Sequence, residues 1–523
     1  MPSSNDQRHV NPWLIAVIVS MATFMEVLDT SIANVSLRYI AGSLAAGIDE
    51  STWVLTSYLV SNAIILPVSG WLATRIGRKR FYMLCVALFT VSSLLCGLAP
   101  SLSFLIVCRV LQGAGGGGLA PSEQAILTDT FPPAQRGQAF ALYGVAVVVA
   151  PAVGPSLGGW ITDTYSWRWI FFINVPIGIL SLLLIYFVVP GIEPSQQTDA
   201  RAGKRIDYLG FGLVALGLGC LQVVLDRGQI DDWFASTRIT IFVIVSGTAL
   251  ILLVIHELTV DGPVVDLRLL GKPSFFIANL IMFLFGGILF GTTQLIPQLL
   301  QQLLGYTATL AGLVLSPGAL LVICLLPLVG FLLGRGWQPK YLIMFGFLNT
   351  AAALWYMSGF DLQISFATAV WARCFQAAGL AFLFVPINTV AYSGLPPGKS
   401  NEASALINVM RNLGGSVGIS VAQTMLARRS QFHQSRLVEY VAPMNLNYRA
   451  AIRGTAQRFT TDAPAGISRM ARSIGSIYAE LGRQALMMSY LDVFYVMSWA
   501  ALCSVVAVWF LKKTKPGEHA QAH

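Results

Sequence analysis

Fourteen predominantly apolar runs alternate with polar stretches along the chain, near 13–34, 52–73, 81–98, 102–125, 138–161, 169–190, 207–226, 237–256, 274–296, 310–333, 340–359, 365–390, 404–427 and 488–511. About 20 such residues cross a bilayer as a helix, so the pattern predicts fourteen transmembrane helices, numbered here as spans 1 to 14. One connection is long, residues 428–487. Within it Met470, Ile474, Ile477, Tyr478, Leu481 and Ala485 follow helical spacing, with Arg469, Arg472 and Arg483 among them. That predicts an amphipathic helix, either on the membrane surface or continuing span 14.

Composition sharpens the class. Charged residues make up 11% of the chain and hydrophobic ones 55%, against about 25% charged in ordinary soluble domains. The expectation is an all-α polytopic membrane protein, and an even number of crossings puts both termini on one side.

Positive residues choose that side. Seventeen lysines and arginines, among them Arg8, Arg75, Arg78, Lys79 and Lys512, fall in one set of short loops and in the tails, and only Arg38, Arg168, Arg227 and Arg238 in the opposite set. The positive-inside rule then places both termini in the cytoplasm. The net charge of +9 reads as topology and contact with anionic lipids, with no nucleic-acid partner implied. Span 1 carries acids and lacks a small-residue cleavage site, so it is expected to stay as an uncleaved anchor. All seven cysteines fall within spans, which predicts packing residues without a disulfide framework.

An internal repeat organises the chain. Arg109, Gln112 and Gly115 recur as Arg373, Gln376 and Gly379, and the same offset carries Pro132-Pro133 onto Pro396-Pro397 and Gly70 onto Gly334. Spans 1–6 and 9–14 thus read as two copies of a six-helix unit. The divisions are 1–190 for the first bundle, 191–262 for a linker and two inserted helices, and 263–523 for the second bundle with the loop 428–487. Parallel repeats with a site between them are a secondary-transporter architecture.

Span 5 breaks two helix rules. Ala150, Gly154 and Gly158 recur every four residues as a side-chain-free stripe suited to close helix packing. Pro151 and Pro155 each remove a backbone hydrogen bond, so the helix must bend there. The stripe maps onto Gly414, Gly418 and Ala422 without either proline. Gly154, Pro155 and Gly158 are therefore expected to form a contact that opens and closes as the bundles rock.

Charges inside the bilayer carry the chemistry. Each costs about 2.5–3.5 kcal/mol at mid-membrane on insertion scales, so each needs a partner or a task. Glu26 and Asp29 are three apart on span 1 and share a face, Arg109 lies on span 4, and Glu123 follows it by fourteen residues on nearly the same face. Burial raises a carboxyl pKa and a nearby arginine lowers it, so an acid whose arginine partner comes and goes can load and release a proton. Asp29, Glu26, Arg109 and Glu123 are the expected proton-coupling set, with protons as coupling ion and no other cofactor. In the second copy Asp29 maps to Thr293 and Glu26 to Phe290. There Gln294, Gln298, Arg373, Gln376, Asn388 and Arg411, in the company of Trp371, Phe375 and Phe382, form the expected wall for bulky amphipathic ligands. Ordinary interhelix hydrogen bonding is the other reading of each.

Other classes fit poorly. Gly394–Ser400 has one residue too few between its glycines for a phosphate-binding loop and no preceding strand. None of the five histidines lies at mid-membrane, and His256-Glu257 lacks the second histidine of a zinc helix, so neither an enzyme nor a metal site is expected. A uniporter, a symporter or a non-transporting scaffold or sensor remains the alternative.

The chain resembles the fourteen-span drug:proton antiporter branch of the major facilitator superfamily, most of all EmrB-type exporters. The residues that carry the likeness are Leu28–Val35, Gly70-Trp-Leu-Ala-Thr-Arg75-Ile-Gly77-Arg78-Lys79, Arg109-x-x-Gln112-Gly113, Ala150–Gly159 and Trp167–Pro176. The resemblance implies the two-bundle fold, proton coupling at Asp29 and Arg109, and a cytoplasmic gate built from Gly70, Arg75, Gly77 and Arg78. Thr74 stands where the superfamily usually has an acid, so an acid-based gate contact does not carry over at that position. The resemblance also implies a bacterial inner membrane, a periplasmic adaptor protein docked on the loop 428–487, and an outer-membrane channel beyond it. The charge of the ligand stays open: the acids suit cations, and Arg373 and Arg411 suit anions.

Overall fold

A computed structural model describes residues 11–189, 207–393, 395–396, 398–441, 445–458 and 469–511. Arg8, Arg201, Lys204, Arg205, Lys512, Lys513 and Lys515 of the charge bias lie outside the described residues, as do Gly394, Pro397 and the boundary at 190.

Helices occupy every expected span: Pro12–Ser43, Trp53–Ile76, Arg78–Gly97, Leu102–Gly116 with Leu119–Thr130, Pro133–Thr164, Trp169–Phe172 with Asn174–Val188, Tyr208–Arg227, Thr237–Thr259, Pro273–Gln302, Ala308–Gly334, Pro339–Met357, Phe366–Tyr392, Ser400–Val438 and Arg469–Trp509. Among the described residues eleven are each long and apolar enough to cross a membrane, and the two bent pieces of span 5 make a twelfth. The remaining two, spans 11 and 13, are more polar but run for 19 and 39 residues, enough length for a crossing at 1.5 Å per residue.

Local chemistry fixes the ends. Asn11 accepts from the backbone of Trp13 ahead of Pro12, and Ser101, Asp207, Thr307 and Ser365 cap spans 4, 7, 10 and 12 in the same way. Gly77 stops span 2 at φ +91°, a conformation that side chains disfavour. Span 5 bends by 46° between Gln135–Pro151 and Val153–Thr164, where the prolines fall. Span 4 is interrupted at Gly117 and Gly118. The continuous helical face expected to link Arg109 with Glu123 is therefore broken between them.

Glycine contacts set the packing. A Cβ on Gly154 would stand 2.4 Å from Ser31 Oγ and one on Gly158 2.9 Å from Ile32, so the stripe seats span 5 on span 1. The repeat does the same: Gly414 and Gly418 of span 13 lie against Phe283 and Gly287 of span 9. Both contacts stay within one six-helix set. The seam between the sets runs instead along other faces. On span 5 it uses Gly137 against Leu333, Gly144 against Phe384 and Leu326, and Ser156 against Gly312. A second seam joins span 2 to span 13, where Gly70 meets Asn401.

The inserted pair packs together through Gly217 on Leu250 and Ser246 Oγ on Gly217 O at 2.8 Å. Span 7 reaches both sets, through Thr56 to Asp226 on one side and Ser416 to Gln222 on the other. The long connection is largely helical. Span 13 continues to Val438, Leu446–Arg458 is a separate helix, and the stretch expected as an amphipathic helix is the start of the single helix Arg469–Trp509. Asp492 ties the two long helices by accepting from Arg429 at 2.5 Å and contacting His433 at 2.7 Å. All seven cysteines are free, but only Cys85, Cys96 and Cys108 are buried, and Cys324 and Cys503 are exposed on the outside of the bundle.

Candidate functional site

Asp29 is 2% exposed and Arg109 0% exposed. Arg109 Nη1 donates to Asp29 Oδ2 at 2.6 Å, and Asp29 Oδ1 accepts from Gln112 Nε2 at 3.0 Å and Asn174 Nδ2 at 2.7 Å. Arg109 has acceptors besides the acid: Val54 O at 3.0 Å and Gln112 Oε1 at 2.8 Å. Its guanidinium also lies over the rings of Tyr58, at 4.2 Å, and Phe171, at 5.7 Å. Spans 1, 2, 4 and 6 thus meet at one sealed ion pair. Arg109 thus has two acceptors and two ring faces besides Asp29, while its Nη2 has no partner.

Glu26 lies three residues before Asp29 but has other partners. It is partly exposed, and its Oε1 accepts from Tyr58 hydroxyl at 2.9 Å and Asn62 Nδ2 at 3.3 Å. Tyr58 therefore touches Arg109 with its ring and Glu26 with its hydroxyl. Glu123 meets neither Arg109 nor Asp29. It is fully buried, accepts from Ser20 Oγ at 2.5 Å, and its Oε2 has no partner.

Hydrogen bonds between the two sets begin beside Glu26 and run to one end of the bundle. Asn412 donates to Asn62 at 3.5 Å, Arg411 to Tyr143 hydroxyl at 2.9 Å, Asn408 to Gln124 at 2.7 Å, Tyr392 to Gln124 at 3.1 Å, and Gln124 to Asn388 at 3.3 Å. At that end Arg78 donates to Asn401 at 2.8 Å and also pairs with Asp129, which accepts from Ser400 at 2.9 Å. Thr74 accepts from Asn401 at 3.3 Å, so a hydroxyl takes part where an acid was missing and Asp129 of span 4 supplies the carboxylate. Arg75 lies over the ring of Trp71 at 5.3 Å.

At the opposite end, no hydrogen bond joins the two sets among the described residues. There Glu26, Thr30, Asn34 and Arg38 form one face of span 1, becoming more exposed along it, and Gln294, Gln298, Asn412, Ser416 and Gln423 are half-buried on spans 9 and 13. Gln423 donates to Gln298 at 2.7 Å. The bundle is closed at the end that carries the loop after span 2, and Glu26 stands at the floor of the opposite opening.

The expected ligand wall is thereby divided. Gln294 and Gln298 border the opening, and Asn388 and Arg411 belong to the lock. Arg373 and Gln376 are buried inside the second set, 2% and 0% exposed, bonded to each other at 2.7 Å. The sequence reading missed Tyr58 and Asn62, a polar pair four apart in an apolar run. It missed Asn408 and Asn412 at the same spacing, and Asn174 within a quoted motif. It also missed Asp129.

A two-bundle membrane transporter with a locked end and a buried acid is the class this geometry defines. The chain belongs to the Major Facilitator Superfamily, whose profile matches residues 19–419. It is 38% identical over 500 residues to the multidrug export protein EmrB of Escherichia coli (strain K12), covering 95% of each chain. It is 36% identical over 498 residues to the fatty acid resistance protein FarB of Neisseria gonorrhoeae, covering 95% of this chain and 96% of that one. The fold is shared with the proton:xylose symporter XylE, at a TM-score of 0.62, 15% identity and 96% coverage of both chains.

Proposed function

We propose that this protein is a proton-driven antiporter that exports amphipathic drugs or toxic compounds across the cytoplasmic membrane by alternating access, with both termini in the cytoplasm. The relatives named for multidrug export and fatty acid resistance support the substrate class, and the distribution of positive loops supports the orientation.

One observation carries the coupling: the sealed Asp29–Arg109 pair, whose cation keeps other partners when the acid is neutral. Ligand enters the opening above Glu26. Tyr58 relays its arrival, since a ligand that draws Glu26 away removes the acceptor of the Tyr58 hydroxyl and frees the ring that covers Arg109. Asp29 then exchanges its proton as the halves rock and the lock at Arg78, Asn401 and Asp129 opens. The substrate is held by Gln294, Gln298 and the amides of spans 2 and 13.

The long connection 428–487, with the helix Leu446–Arg458 and the projecting ends of spans 13 and 14, provides the docking surface for a periplasmic adaptor protein leading to an outer-membrane channel. The deciding experiment measures ligand-dependent proton release from the purified protein and efflux from liposomes. Asp29→Asn should abolish both while leaving ligand binding, and full active efflux by that variant would overturn the coupling role.

A further inference from the structure

Proton coupling at Asp29 makes no use of Glu123, which is 0% exposed. The break at Gly117 and Gly118 turns this residue away from Arg109 and onto span 1. There its Oε1 accepts from Ser20 Oγ at 2.5 Å, and its Oε2 has no partner. Thr23, one turn along from Ser20 and also fully buried, lies beside the same carboxyl with its hydroxyl unpartnered.

Among the described residues no cation forms a salt bridge with Glu123. The titratable side chains that face it are Glu26 on span 1, Tyr82 on span 3, Tyr143 on span 5 and Arg411 on span 13. Tyr82 donates instead to Val19 O at 2.6 Å, and Arg411 to the Tyr143 hydroxyl at 2.9 Å. A carboxylate ion buried with one hydroxyl donor and no paired cation is unfavourable. A proton on Oε2 removes that charge, and its donation to Thr23 Oγ1 satisfies both idle atoms at once.

Position gives such a proton a route. Thr23 and Ser20 precede Glu26 by three and six residues on span 1, so the Glu123 carboxyl sits about 5–9 Å deeper than the floor of the opening. Gln124, the next residue of span 4, accepts from Asn408 and Tyr392 and donates to Asn388 across the seam. Glu123 thus lies between the opening and the lock.

We propose that Glu123 is a second proton-binding site, loaded from the opening by way of Glu26 and Thr23 while the lock is closed, and emptied towards the lock end once it parts. The proton comes from water in the opening, leaves Glu26 ionised again, resides on Oε2 and returns to water beyond the lock. Together with Asp29 this makes two protons per transport cycle. That count rests on the antiport reading above, whereas the bound proton itself needs neither substrate nor gradient.

The test is infrared difference spectroscopy on the full-length purified protein at neutral pH, in H2O against D2O, where a protonated carboxyl has a carbonyl band of its own. Glu123→Gln should remove one such band, and Asp29→Asn should leave it. Ser20→Ala, which deletes the donor to Oε1, should move the same band to higher frequency at unchanged amplitude, an identification that holds even if the glutamine variant misfolds. Glu26→Gln should slow the shift of the band in D2O. Adding Gly70→Ala, which loosens the lock, should speed it again by about tenfold through the other end. Persistence of every carboxyl band in Glu123→Gln, or a band that ignores Ser20→Ala, would overturn the site. Equal exchange with and without Glu26, or no gain from Gly70→Ala, would overturn the route. Full active efflux by Asp29→Asn would leave these bands standing, and a missing Glu123 band leaves the Asp29 test untouched.

Discussion

Asn174 donates to Asp29 at 2.7 Å, so the sixth span of the first bundle holds the acid of the first. The same amide donates to Ser93 Oγ at 3.0 Å, and Ser93 donates to Phe171 O at 2.9 Å. Asp29 is thus the centre of a polar chain through four helices. Opening this chain moves whole helices, so on the proposed coupling protonation of this carboxylate would bias a rigid-body change.

Removing Arg109 should be more damaging than removing both partners. Arg109→Gln leaves Asp29 buried with its cation gone, a change that costs about 3–5 kcal/mol in buried pairs. Thermal unfolding in detergent should show a large loss for that variant and partial recovery when Asp29→Asn is added. Additive losses would mean that the two side chains act independently.

Tyr58→Phe separates the two contacts of that residue. The ring stays over Arg109, and the hydroxyl bond to Glu26 is lost, a bond to a charged group worth about 1.5–3 kcal/mol. Ligand binding should survive within a few fold, and protons released per ligand should fall. Unchanged stoichiometry would remove Tyr58 from the relay.

Gly70→Ala should hold the locked end open. The added Cβ would stand 2.8 Å from Asn401 O and 3.0 Å from Glu402 Cα, both backbone atoms that cannot rotate away. Overpacking of this kind costs about 1–3 kcal/mol, enough to shift the closed population by roughly five- to 150-fold. Amide exchange over residues 400–408 should rise and efflux fall, and unaltered exchange would show that the contact yields cheaply.

Gly154→Val should distort the first bundle without splitting the seam, because its neighbour is Ser31 on span 1. Cysteine cross-linking between spans 5 and 10 should persist while efflux drops. Loss of the cross-links would return the stripe to the moving interface.

Deleting residues 439–468 removes the helix Leu446–Arg458 of the long connection. Efflux in cells and adaptor co-purification should both fall while transport in liposomes continues. Unchanged co-purification would place the adaptor elsewhere.

Hydropathy alone locates the fourteen crossings, because a bilayer demands about 20 apolar residues per helix and leaves little freedom in where they begin. The chain itself also set the bend of span 5 and the repeat, since prolines act on their own helix and an offset is visible without coordinates. It named Asp29 and Arg109 as a pair, because an acid and a base buried in one bundle have few other solutions. Which helices those residues face follows from the packing of the bundle. Glu26 and Asp29 share a helical face yet point to different partners, a distinction set by where Tyr58 and Asn174 come to rest. The glycine stripe was legible as a close contact, but its partner could be either bundle, and packing placed it on span 1. Polar residues of the lock, from Gln124 to Asn408, are ordinary amides in the sequence. Their task exists only because two bundles bring them within hydrogen-bond distance, and Arg373 stands out only because no carboxylate among the described residues pairs with it.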